Sequence, residues 1–287
     1  MLRALITVAL VLATGAPPAQ VKVKPASSKS SDRAVAGDYA PSPSFDPEAE
    51  QQLLEMANQA RARTGAPALQ PDPGLTQAAR AHADVMAQQQ QLSHQFDGEP
   101  TLTHRLASAS TLHLDHAGEN VALDLSPEQA HEHLMLSPPH RENLLDASYN
   151  VAGFGVIRSG ARLFVVQDFG HSVPAYSTEQ TEDAIVSAVG RSRGAAHLPA
   201  LERKADSVLG DAVCSMAQED RLGTRAMHEL AQHYSVVSYT NLHPEVLPAN
   251  AARLIGDHRV RNVAVGVCYA RTETYPTGVY WVGLAFY

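Results

Sequence analysis

Residues 118–143 run from Gly118-Glu119-Asn120-Val121-Ala122, through Ser126-Pro127-Glu128, to Ser137-Pro138-Pro139-His140-Arg141-Glu142-Asn143. Serine followed by Pro-Glu is a helix-start pattern. The hydroxyl caps the first free amides, proline suits the first turn, and the acid suits the positive end of the helix dipole. A helix is therefore expected from Ser126 to about Leu136, ended by Pro138-Pro139. Leu92-Ser93-His94 lies just upstream. His94, Glu119 and His140 would share one cleft if the chain folds back on itself.

Outward from this stretch, the chain of 287 residues has room for one or two domains with a substantial core. Its net charge of -8 argues against sequence-independent nucleic-acid binding and against a polybasic membrane anchor. Met1-Leu2-Arg3 precedes a short apolar run from Ala4 to Ala13 and the small residues around Ala16 and Ala19. That is a signal-peptide pattern, expected over 1–19, and too short to span a bilayer. No other stretch reaches transmembrane length. The mature chain is expected to be exported, either secreted or periplasmic. Residues 20–45, rich in Pro, Ser, Ala and Lys, read as a disordered linker. Cys214 and Cys268 are the chain's two cysteines. In an oxidising compartment they would pair; otherwise they would be two buried thiols.

Asp46-Pro47-Glu48 opens a first helix to about Arg63, and Leu75 to Gln90 a second with His82 on its inward stripe, where a buried, hydrogen-bonded role is expected. Residues 95–117 have no clear period and read as loop, with His104, His113 and His116 as surface residues. Residues 150–157 and 162–169 alternate like a β-hairpin around Arg158-Ser159-Gly160-Ala161. After residue 175 the pattern starts again. Gly65-Ala66-Pro67 is echoed by Gly194-Ala195-Ala196, and the second helix by Val208 to Gln218. Ser126-Pro127-Glu128 is echoed by His243-Pro244-Glu245, and the hairpin by Asn262 to Val267 and Val279 to Phe286. Ordered echoes at a drifting period argue for an internal duplication. In the second copy Ala212 falls opposite His82 and His258 roughly opposite His140, while Gly-Glu-Asn is missing. The expected layout is a first domain at 46–177 and a degenerate repeat at 178–287.

The first copy resembles the CAP superfamily of cysteine-rich secretory, antigen 5 and pathogenesis-related 1 proteins, in particular its bacterial SCP-like secreted branch. The resemblance rests on Ala81-His82-Ala83-Asp84-Val85-Met86-Ala87, Leu92-Ser93-His94, Gly118-Glu119-Asn120-Val121-Ala122, Ser137-Pro138-Pro139-His140-Arg141-Glu142-Asn143-Leu144-Leu145, and Val165-Val166-Gln167-Asp168-Phe169-Gly170. It implies an α/β fold, an α-β-α sandwich around a mostly antiparallel sheet, here duplicated in tandem. It also implies a cleft in which His94, Glu119 and His140 match three of the family's four tetrad positions and Ser137 stands near the fourth, with Asn120 beside them. Family members can hold a divalent metal, often zinc, between the two histidines, which here would be His94 and His140.

Two functions follow. One is a non-enzymatic binding module, acting outside the cell or in the envelope on a lipid, glycan or protein ligand. The other is a metal-dependent or His/Glu-assisted hydrolase with Glu119 as general base. Neither Gly-x-Ser-x-Gly nor His-Glu-x-x-His is present, which favours binding. A third reading makes His94, Glu119 and His140 a structural network.

Overall fold

The computed structural model describes residues 43–287. The signal peptide expected at 1–19 and most of the expected linker lie outside the described residues. The last residues of that expected linker are strand: β1 (Ser44–Phe45), just before the Asp46 cap, pairs with Arg158 and Ile157. Asp46 then caps α1 (Pro47–Thr64) and is also held by Arg158. β2 (Gln70–Pro71) leads to Asp72, whose carboxylate caps α2 (Pro73–Gln89).

Residues 95–117 depart from the expected loop. They contain α3 (Leu102–Ala109) and the start of β3 (His113–Asp124). Leu102, Leu106 and Ala109 put an apolar face of α3 against Leu75, Ala78 and Leu114. A helix this short gives little periodic signal in sequence. The polar Gly118-Glu119-Asn120 run is strand because both its faces are covered by protein. After it come α4 (Pro127–Leu136) and α5 (Pro138–Leu145), then β4 (Val151–Ser159) and β5 (Arg162–Val173).

The first sheet has the order β1-β4-β5-β3, with β2 parallel to β4 and every other pairing antiparallel. Side chains alternate across it. Leu163 and Val165 pack with Leu53, Ala57, Ala130 and Leu134 of α1 and α4, while Phe164 and Val166 pack with Ala79, Ala83 and Met86 of α2. Gly153 lies directly beneath α2, where a Cβ would fall 2.0 Å from the Leu75 carbonyl carbon. This is a mixed α/β fold around a largely antiparallel sheet.

The rest of the chain forms α6 (Thr178–Ala195), β6 (Glu202–Lys204), α7 (Ser207–Gln218), α8 (Arg225–Leu230), β7 (Ser235–Asn241), α9 (Ala252–Ile255), β8 (Asn262–Ala270) and β9 (Val279–Phe286). A second sheet has the order β6-β8-β9-β7, with β6 parallel to β8 and the others antiparallel. α6 covers one face and α7 the other. α6 starts at Thr178, where Ser177 and Gln180 form a reciprocal cap. His243-Pro244-Glu245 is a turn and starts no helix. Cys214 of α7 and Cys268 of β8 are joined by a disulfide. Both sheets belong to one compact unit. Among the described residues no helix is long and apolar enough to cross a membrane.

Candidate functional site

The site forms around β3, the strand at the end of the first sheet. Glu119 and Asn120 are neighbours on it and so face opposite sides. Glu119 faces the α2 side, where the loop after α2 brings His94. Asn120 faces the α5 side, where its amide donates to the His140 carbonyl at 3.0 Å and to Gln167 at 3.2 Å. Asn143 closes this side by donating to the Glu119 carbonyl and to Asn120 Oδ1. The two imidazoles meet past the strand edge, with ring centroids 6.2 Å apart and planes inclined by 30°.

His94 Nδ1 sits 2.9 Å from Glu119 Oε1, and the imidazole is half exposed while the carboxylate is 4% exposed. His140 Nδ1 is 2.9 Å from Ser137 Oγ. Burial and the neighbouring His94 depress the His140 pKa below the ordinary imidazole value. His94, Glu119, His140, Ser137 and Asn120 are therefore all gathered here.

Behind Glu119 stands a buried polar network that the sequence pattern does not reveal. Arg105 of α3 donates Nη2–H to Glu119 Oε2 and Nη1–H to the Pro100 carbonyl. His82 is fully buried, as its place on the α2 stripe predicts. Its ring nitrogens face Glu99 Oε1 at 2.6 Å and the Ser93 carbonyl at 2.9 Å. His82 thereby ties down the backbone next to His94. Asp168 pairs across the strands with Glu119 and is completely buried. Burial, then the Glu119 carboxylate beside it, pushes the Asp168 carboxyl well above the usual carboxylate range. Neither Asp168 oxygen meets a donor. The raised pKa favours the neutral acid, which needs a donor less than a buried carboxylate does. Asp168 is visible in sequence only as part of Gln167-Asp168-Phe169-Gly170, and Arg105 only as one residue of an unpatterned stretch. A single acid or base in a mixed run does not announce which face it will occupy.

Other histidines sit elsewhere. His133 is exposed and bonded to Asp124, as a solvent-facing residue should be. His131 is half-buried, and burial lowers its pKa. His113 is not a surface residue: it stacks on Tyr269 with centroids 3.9 Å apart. Glu132 lines a separate cavity with Asp124 and Arg162, and Glu142 borders a surface depression beside Asp146, so neither supplies a second cleft acid.

The chemistry open to this arrangement is limited. The histidine bonded to a carboxylate is His94, whereas the histidine bonded to a hydroxyl is His140. A hydroxyl, base and orienting acid in one line, the arrangement that activates a serine, is not formed. A metal would find two imidazoles. Glu119 is held by Arg105 and His94, and among the described residues no three His, Cys, Asp or Glu side chains converge as a ligand cluster. The donor set does not match a closed zinc site, which takes four ligands, nor a catalytic one, which takes three from the protein.

Residues 54–169 match the cysteine-rich secretory protein family, CAP. The uncharacterized protein YkwD of Bacillus subtilis is 30% identical over 115 residues, which is 39% of this chain and 44% of that protein. An extracellular protein containing an SCP domain from Bacillus anthracis is 27% identical, covering 44% of this chain and 41% of the other, with a TM-score of 0.41. An outer surface protein of Borrelia burgdorferi is 20% identical at TM-score 0.41, covering 44% of this chain and 94% of the other. The chain spans less than half the length of the two Bacillus proteins. It carries a CAP domain with bacterial SCP-like relatives.

Proposed function

We propose that the protein is an exported, non-enzymatic binding module whose CAP domain presents the His94–Glu119–His140 cleft to a ligand outside the cell or in the envelope. The observation that carries this reading is the commitment of Glu119. Arg105 holds one of its oxygens and His94 the other, and its side chain is almost wholly shielded from water. A carboxylate paired to a guanidinium and shielded from water orients His94 and is poorly placed to take a proton from a substrate or water. The groups open to solvent are the exposed His94 and the half-buried His140 and Ser137, and the apolar Leu92 and Leu136, exposed as well, lie next to them in the chain. A divalent cation held here would have two protein ligands and exchange readily.

Export is supported by the N-terminal pattern and by the Cys214–Cys268 bond, which belongs to an oxidising compartment. The region from 178 onward is proposed as a degenerate repeat of 46–177, with a scaffolding role. Two buried arginines support this. Arg61 donates to the carbonyls of Pro67, Leu144, Asp146 and Tyr149. Arg193 donates to those of Pro199, Ile255, Asp257 and Val260 in the same chain order.

The test pairs calorimetric titration of zinc with a hydrolysis assay on a fluorogenic peptide library. Wild type is expected to bind zinc weakly, His94→Ala/His140→Ala to lose the heat with an unchanged melting temperature, and neither to cleave peptides. Peptide cleavage that disappears in Glu119→Gln would replace the binding reading by a hydrolase. Unfolding of the double variant would make the cleft a structural network.

A further inference from the structure

We propose that Arg271, in the segment after β8, is a positioning residue for the cleft, through which the second half of the molecule holds the Arg105–Glu119 pair in register. The inference rests on the cleft being the working site. It begins with where the guanidinium sits. Nη1 donates to the Ala107 carbonyl at 2.6 Å and Nη2 to the Leu112 carbonyl at 3.1 Å. Ala107 lies in the last turn of α3, where carbonyls have no intrahelical partner and the dipole is negative, so a cation there is favourable. Leu112 immediately precedes β3. One side chain thus bridges the end of the helix carrying Arg105 to the start of the strand carrying Glu119.

The cleft side of α3 gives that bridge a consequence. Arg105 reaches across a buried gap to Glu119, while its Nε has no partner. α3 is 8 residues long and its N-cap Thr101 makes no side-chain cap bond, so its own backbone does little to fix it. Its placement depends on an apolar contact with α2 and β3 and on what grips its end. The gripping segment is itself well anchored. Cys268, three residues before Arg271, is bonded to Cys214 of α7, and Tyr269 stacks flat on His113 at the head of β3. Glu273 adds a 3.6 Å approach to His104 on α3. The Arg271, Tyr269 and Glu273 contacts all join the second half to α3 and β3, the two elements that build the acid–base side of the cleft. A device that merely glued the halves together would have no reason to concentrate there.

Hydrogen–deuterium exchange on the full-length protein, with NMR of the arginine Nε–H groups, tests this. In Arg271→Ala, exchange in residues 102–112 is expected to rise about tenfold, the worth of one charged hydrogen bond. α1 should stay at its wild-type rate, and the Arg105 Nε–H signal should shift. Arg271→Lys should restore much of both. Glu273→Gln, which alters the same segment but leaves the guanidinium, should change neither. An unchanged Arg105 signal in Arg271→Ala, or a rise in exchange spread evenly over α1 and β9, would make Arg271 an ordinary interface residue. Neither readout involves a ligand or zinc, so failure of the binding reading and failure of this one are told apart.

Discussion

The two halves of the molecule share a frame and differ in what it carries. In each, a buried arginine near the end of the first long helix ties together a ring of backbone carbonyls. In each, an aspartate caps the second long helix, which lies over a glycine of the adjacent strand, Gly153 under Leu75 and Gly266 under Leu209. On this frame the polar positions change character. Asp168 faces Gly153, and Gly283 faces Gly266. Glu119 faces Asp168, and Ser238 faces Gly283. His82 lies ten residues beyond the Asp72 cap and Met216 ten beyond the Asp206 cap, so Met216, not Ala212, stands in its place. His140 lies four residues before Leu144 and Ala251 four before Ile255, so buried Ala251, not His258, matches it. Where the first half has a histidine, two acids and a cleft imidazole, the corresponding places of the second hold methionine, glycine, serine and alanine. The frame does not require the network, and burying such groups is unfavourable unless each is partnered. Their presence in one half alone points to a use other than stability.

The comparison breaks at its root if the frame is not shared. Arg61→Ala and Arg193→Ala should each cost about 3–5 kcal/mol, because each strands several buried carbonyls. Urea unfolding measures both. A change below about 1 kcal/mol in one of them, less than a single stranded buried carbonyl costs, would show that the two arginines are not equivalent. Next in size is the disulfide, which belongs to the second half alone. Cys214→Ser/Cys268→Ser should cost about 3–4 kcal/mol for a loop of this length and lower the second-half transition first. Coincident loss of both halves would mean that they unfold as one unit.

The smallest and sharpest test is Asp168→Asn. The folded-state pKa of Asp168 is raised, so above the ordinary carboxylate range the native state holds a proton that the unfolded chain has released. Its contribution is present at low pH and is lost as pH rises from about 4 toward the folded value, at up to about 1.4 kcal/mol per pH unit. The substituted amide keeps the shape and removes the titrating proton. The stability of the variant relative to wild type should therefore climb with pH over that window. A difference that stays constant from about pH 4 to about pH 7, across the ordinary carboxylate range and beyond it, would show that burial does not raise the Asp168 pKa.

Local chemistry makes much of this molecule legible. The Asp46 and Ser126 caps, the proline stops, the hairpin around Gly160 and the α2 stripe with its buried histidine all follow from residue type and spacing. The motif order around His94, Glu119 and His140 is enough to gather them. What the sequence does not decide are matters of face, partner and register. The echo sets Ala212 opposite His82 because an apolar helix stripe repeats every turn, so the match survives a slip of four residues to Met216, and a strand slipped by one flips every side chain. The His-Pro-Glu echo mimics a cap, but no helix follows it, and the missing α4 shortens the second half. α3 is too short to show a period, which hides Arg105. The Asp168 pKa is raised only because the β3–β5 register sets it beside Glu119 and the protein around it excludes water. Residue order determined which groups could meet. The tertiary structure decided which of them share charge, because distance and burial do not exist until the sheet has closed.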